Sequence, residues 1–146
     1  MKHLVFMLFF LTVSPAFAAP MHIEADHLDI QHDKHTAKFT GKVYLLRDDF
    51  SLWCDNLTVY YQKKSKKIEH VHAQGHVKIK QGERSGKSDE ADYYHLKDLL
   101  ILRGHAEMEQ EGGYIQGEII EHDMKASQTK VHQGSGGRVH VSIESE

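Results

Sequence analysis

The chain has 146 residues, 40% hydrophobic and 27% charged, with 18 Lys and Arg against 21 Asp and Glu, for a net charge of −3. That balance describes one ordinary folded domain; it excludes a disordered acidic tail, a collagen-like repeat and a nucleic-acid partner, which needs a basic face. A single cysteine, Cys54, leaves no intramolecular disulfide and no multi-cysteine metal centre.

Lys2 and His3 give a short basic start, and Leu4 to Val13 is almost unbroken apolar. Pro15 then breaks the run, and Ala16-Phe17-Ala18 supplies an A-x-A cleavage motif. This predicts a secretory signal peptide over residues 1–18, cleaved near Ala18. The apolar run is about half the roughly 20 residues of a spanning helix, so no membrane anchor is expected. No cysteine follows the motif to carry a lipid.

Residues 19–143 show the period-two alternation of half-buried strands and no apolar stripe of helical length. An acidic element comes first, Ile23-x-Ala25-Asp26-x-Leu28. A glycine-centred frame follows, Ala37-x-Phe39-x-Gly41-x-Val43-x-Leu45. The acidic element returns as Leu52-x-Cys54-Asp55-x-Leu57, and the glycine frame as Val71-x-Ala73-x-Gly75-x-Val77-x-Ile79. Then come Gly86-x-Ser88-Asp89-x-Ala91 and Leu100-x-Leu102-x-Gly104-x-Ala106-x-Met108. Ile115-x-Gly117-Glu118-x-Ile120 precedes a degraded frame, Gly137-x-Val139-x-Val141, and residues 144–146 are a short tail. The unit recurs about every 30 residues.

In each acidic element the inward positions change parity at the acid. One extra residue turns the following side chains over unless the backbone bulges. A corner is therefore expected at Asp26, Asp55, Asp89 and Glu118, with the carboxylate outward. Turns are expected at 32–34, 63–66, 82–85, 96–98 and 111–113. Repeated bent strands of this kind build an all-β sandwich, barrel or jelly roll. An open stack would leave unpaired edges that invite strand addition.

Few motifs carry chemistry. Gly82 to Ser88 falls one residue short of a P-loop and leads into a strand, not a helix. Asp48 and Asp49 are adjacent carboxylates in a turn, and there is no nucleophile elbow. No enzyme is predicted. Among 13 histidines, His70, His72 and His76 share one strand face opposite Val71, Ala73 and Val77. Alternate imidazoles can bind a transition metal, but outward strand positions ordinarily hold polar residues, and neither metal nor cofactor is expected. Lys63-Lys64-Ser65-Lys66-Lys67 reads as a solvated turn, with anionic head groups or an acidic partner as the functional reading. Cys54 reads as a small buried thiol.

Taken together, Ile23-Glu-Ala-Asp26, Phe39-Thr-Gly-Lys-Val43, Cys54-Asp-Asn-Leu-Thr-Val59, Leu100-Ile-Leu-Arg-Gly-His-Ala106 and Ile115-Gln-Gly117 resemble the OstA-like family of periplasmic lipopolysaccharide-transport proteins, over nearly all of residues 20–143. Related domains occur in membrane-anchored LptC and in the periplasmic part of LptD. The cleavable signal favours the soluble member. The resemblance implies a twisted β-jelly roll, open at both ends, built from repeated bent antiparallel strands around an apolar inner groove.

The resemblance also implies that the groove shields lipopolysaccharide acyl chains. Subunits would join head to tail through edge strands, bridging an LptC-like inner-membrane protein and an LptD-like outer-membrane translocon, with an ATPase partner driving the movement. Positions matching the family's groove lining are Met21, Ile23 and Tyr93. Alternation adds Phe39, Val43, Leu45, Leu57, Val59, Val77, Ile79, Leu102 and Ile120. His95 falls on the inward phase where an aliphatic is expected. Exposing an acyl chain of about a dozen carbons to water costs roughly 10 kcal/mol, at ~0.8 kcal/mol per CH₂, so a continuous trough is useful with no covalent step. Other readings are a same-fold periplasmic adaptor that carries no lipid, and a metal-binding protein using the His70, His72 and His76 face.

Overall fold

The computed structural model describes residues 20–133 and 137–144. The segment read as a signal peptide, with its cleavage motif, lies outside the described residues. The strands are β1 (His22–Glu24), β2 (His27–Gln31), β3 (Thr36–Arg47), β4 (Phe50–Tyr61), β5 (Ile68–Gln81), β6 (Arg84–Tyr94), β7 (Leu99–Gln110), β8 (Gly113–Asp123), β9 (Gln128–His132) and β10 (His140–Ile143). Among the described residues no helix is long and apolar enough to cross a membrane.

All ten strands form one antiparallel sheet. β1 and β2 both pair with β3, while β9 and β10 both pair with β8. Each sheet edge is thus a strand broken at the corner. Between them, β3 to β8 follow each other as a meander of long strands. Every long strand bends midway, so the sheet folds into two facing walls. The first wall holds β2, β9 and the stretches around Phe39, Leu57, Ala73, Ala91, Leu102 and Ile120. The second holds β1, β10 and the stretches around Leu45, Leu52, Ile79, Gly86, Met108 and Ile115.

The corner has a repeated chemical cause. Gly41 and Lys42 together oppose Asp55, Gly75 and His76 oppose Asp89, and Gly104 and His105 oppose Glu118. The additional residue therefore sits on the glycine strands, a correction to its placement at the acids. The glycines have φ of 86°, 82° and 79°, and the residue after each is also left-handed. A Cβ at Gly41, Gly75 or Gly104 would lie within 2.5–2.6 Å of a carboxylate oxygen of Asp26, Asp55 or Asp89. No other residue fits there, since it would meet both the acid and an unfavourable φ. The parity change itself is present: Leu52 and Cys54 are buried before Asp55, and Leu57 and Val59 after it.

The expected turns all form. A further turn after Asp123 was not anticipated. There the side-chain Oδ1 accepts from the backbone N–H groups of Lys125 (3.0 Å) and Ala126 (2.9 Å), the local bonding that favours Asp in turns. It launches β9, so the last acidic element finds its first-wall partner in Gln128–His132, while the degraded glycine frame supplies only β10.

The core lies along the inside of the corner, where Val43, Leu57, Val59, Leu102 and Ile120 are at most 1% exposed. Cys54 is buried there, and burial, then the Asp55 charge, pushes its thiol up to about 12. That leaves no thiolate for nucleophilic chemistry.

Candidate functional site

Toward the open rim the walls separate around a cavity of about 580 Å³, within the roughly 300–1,000 Å³ of small-molecule sites. Its apolar lining comes from Met21, Leu45, Phe50 and Leu52 on the second wall, and from Val71, Ala73, Ala91, Tyr93, Leu100 and Met124 on or beside the first. Arg47, Asp48, Asp49, Gln81, His95, Asp98 and Lys125 form a polar lip. The room has a local cause: Ala73 and Ala91 are a directly opposed pair in the middle of the first wall, and two methyl groups fill little of the gap to the second wall.

Farther along, the walls touch. A Cβ on Gly86 would meet Ile79 Cγ1 at 2.9 Å and Leu102 Cδ1 at 3.2 Å, and one on Gly117 would meet Val131 Cγ1 at 2.6 Å. The trough is therefore deepest over β3 to β6 and shallow toward β8. A narrow extension of about 20 Å³ runs past Ile79, Met108 and His122. At the lip, Tyr93 Oη donates to Asp98 Oδ1 at 2.7 Å. Burial, then that carboxylate, pushes the phenol up to about 12. His95 sits edge-on to Tyr93, ring centroids 6.2 Å apart.

Twelve residues are expected to line the groove. Met21, Leu45 and Tyr93 border the main cavity and Ile79 its narrow extension. Ile23 and Phe39 are half-buried against the core. Val43, Leu57, Val59, Val77, Leu102 and Ile120 are sealed in the core beneath the trough and border neither space. Alternation sorts inward from outward side chains, but not the depth of an inward one. The small pair Ala73 and Ala91 was visible as inward, and its size was the available signal for the cavity.

Both ends stay open. Leu28 and Ile30 of β2 stand opposite the inward Phe39 and Ala37 yet are 53% and 51% exposed. Val141 and Ile143 of β10 stand opposite Ile115 and Gly113 and are 57% and 75% exposed. The apolar interior thus runs out to both sheet edges, from the first wall at one end and the second wall at the other.

Charges alternate along the outside of the corner. His76 Nδ1 is 2.7 Å from Asp55 Oδ2, and His105 Nδ1 is 2.8 Å from Asp89 Oδ2. Those hydrogen bonds, then the carboxylate charges, raise both imidazoles above 6.5. His76 is therefore held at the corner, away from His70 and His72, which corrects the expectation of one three-histidine face. On the outer first wall, His70 Nε2 (2.7 Å) and His72 Nδ1 (2.8 Å) both reach Oδ1 of buried Asp92, and Arg103 Nη1 donates to its Oδ2. Burial pushes the Asp92 carboxyl up, but the His72 and His70 hydrogen bonds and the neighbouring positive charge outweigh it and hold it below the usual range. Sequence spacing could not supply Asp92, which reaches these histidines only through the ladder.

The family model described as "LptA/(LptD N-terminal domain) LPS transport protein" matches residues 22–128. The chain belongs to this family. Among curated relatives it is 26% identical over 127 residues to the lipopolysaccharide export system protein LptA of Haemophilus influenzae, covering 82% of this chain and 74% of that one. Among solved structures it matches the crystal structure of LptH, the LptA-homologous periplasmic component of the conserved lipopolysaccharide transport device from Pseudomonas aeruginosa. The TM-score is 0.79 at 18% identity, over 87% of this chain and 96% of that one. The fold is thus the twisted, open jelly roll of the LptA family, and every cavity-lining residue but Met21 lies within the part of the chain that carries the family match.

Proposed function

We propose that this protein shields the acyl chains of lipopolysaccharide in its trough as the lipid crosses the periplasm, after export on a signal peptide cleaved near Ala18. The observation that carries the reading is the cavity: apolar within, charged at its lip, and continued by exposed apolar side chains to both sheet edges. An amphiphile with hydrocarbon tails and an anionic head suits that division. At ~0.8 kcal/mol per CH₂, covering even part of a chain offsets much of the cost of crossing water. No bond need be made or broken, so shielding calls for no catalysis.

The unpaired edges support the bridge. The β1/β2 edge and the β9/β10 edge differ, so joining one to the other is heterologous and need not close, which can give filaments. Leu28 and Ile30 of one copy would lie near Val141 and Ile143 of the next, covering what each leaves exposed. An LptC-like inner-membrane protein and an LptD-like translocon would take the two terminal edges by the same strand addition.

Photo-crosslinking residues placed in cells at Leu45, Tyr93 and Ala73 should capture lipopolysaccharide, while the outward positions Lys38 and Lys78 should not. Equal capture from both sets would overturn the groove reading. Capture of protein alone, confined to Leu28 and Val141, would leave a same-fold adaptor that carries no lipid.

A further inference from the structure

We propose that His70, His72 and Asp92 form a transition-metal site on the outer first wall, of the two-histidine, one-carboxylate kind that takes Zn²⁺. Asp92 also borders the trough's cavity, but neither His70 nor His72 does, and the site does not depend on the lipid reading. His70 and His72 are alternate outward residues of β5. Asp92 of β6 stands directly opposite His72, and Tyr94 opposite His70. The ladder spacing of about 4.5–5.5 Å between opposed residues brings the three side chains together. Their ligand atoms all lie within 4.8 Å of one another, the one such group among the described residues.

The donor set selects the ion. Two imidazole nitrogens with one carboxylate oxygen suit Zn²⁺, Cu²⁺ or Ni²⁺, whereas Ca²⁺ and Mg²⁺ prefer oxygen throughout. The two imidazoles are 25% and 29% exposed while the carboxylate is 5% exposed. The group is therefore anchored below and open above, where a water can complete the fourth position.

The surroundings hold the ligands ready. The His70 ring is stacked between Tyr60, at 5.2 Å and 11°, and Tyr94, at 4.5 Å and 4°. Arg103 occupies Oδ2 of Asp92 and leaves Oδ1, the oxygen facing both imidazoles, to the metal. Supporting contacts of this kind fix ligand orientation. Glu90 stands opposite Arg103 in register on the neighbouring strand. The protons balance simply. Each neutral imidazole that donates to Oδ1 moves its one proton to the ring's other nitrogen, Nδ1 of His70 and Nε2 of His72. The freed lone pairs then bind the ion, with no redox change. Bound metal would clamp β5 to β6 and raise stability by mass action.

The test uses tag-free full-length protein stripped with chelator and titrated with Zn²⁺ alone. We expect one Zn²⁺ per chain, a rise in Tm on saturation, and NMR shifts in the ring signals of His70 and His72 but not of His76 or His105. His72→Ala and His70→Ala should each weaken binding by at least tenfold and abolish the Tm rise, while His76→Ala binds as the parent does. The NMR measurement needs no variant, so a poorly folded substitution does not blunt the test. Absence of stoichiometric binding, ring shifts spread over all histidines, or full affinity in His72→Ala would overturn the site.

Discussion

Ala91→Leu separates a trough from a core. The residue is 2% exposed, borders the cavity, and opposes Ala73 in the ladder. Leucine adds three carbons to a space of about 580 Å³, so it meets room where a packed core would offer only strain. At about 0.8 kcal/mol per buried carbon, folding should gain up to about 2 kcal/mol, read as a higher urea midpoint. The same three carbons displace about three methylenes of a bound acyl chain. That costs binding about 2.4 kcal/mol, a loss of roughly 50-fold. The assay is displacement of a fluorescent lipopolysaccharide from purified protein, beside the urea melt. The two signs must be opposite: tighter folding, weaker lipid. A variant that folds less stably shows that the space is not available. One that gains stability and keeps its lipid affinity shows that the lipid does not use it.

Leu102→Ala should behave differently: the side chain is fully buried beside the corner, so the urea midpoint should drop by the equivalent of about 2–5 kcal/mol. His76 and His105 have folded pKa values above the 6.5 of a free imidazole because of Asp55 and Asp89. Their pairing is fully present below 6.5 and fades as pH rises through the raised values; Asp55→Asn should return the His76 NMR titration toward 6.5 and leave His105 in place. His122 has the opposite sign: burial first, then the Arg84 charge, lowers it. The unfolded chain therefore takes the proton first, and stability falls as pH drops below about 6.5 toward the folded value. Thermal melts on either side of 6.5 should show a smaller acid loss in His122→Phe than in the parent.

What could be read ahead of the structure followed from the period of the chain. Alternation gave the six long strands, and the parity switch at Asp55, Asp89 and Glu118 gave the corner. It could not say which strand of a bulged pair holds the additional residue, because burial parity records the bend and not the count across the ladder. That count needs the partner, where Gly75 and His76 face Asp89 alone. The same limit hid Asp92, which is 20 residues from His72 in sequence and 2.8 Å away in space. It also merged trough with core. Leu45 and Leu57 are both inward and buried, yet Leu45 borders the cavity and Leu57 does not. Leu57 stands directly opposite Ala73 in the ladder, so the two share one level of the wall, and the cavity opens over the small residue and not over the large one.

Folding one meander along a line, instead of stacking two separate sheets, decides where stability and function reside. The ladders run along each wall and through the bends, and among the described residues no hydrogen bond or ion pair links one rim to the other. The walls are joined only through the bend and the side chains packed inside it. Those side chains are the fully buried ones, Val43, Leu57, Val59, Leu102 and Ile120. The rim, released from holding the fold together, can keep small and half-buried residues over an unfilled space, which a close-packed interior would exclude. A barrel closed by pairing its two edges would have no free strand left to join a neighbour. Leaving the rim and both edges open costs stability, but on the proposed function it would let the trough be entered from the side and continued from one copy to the next.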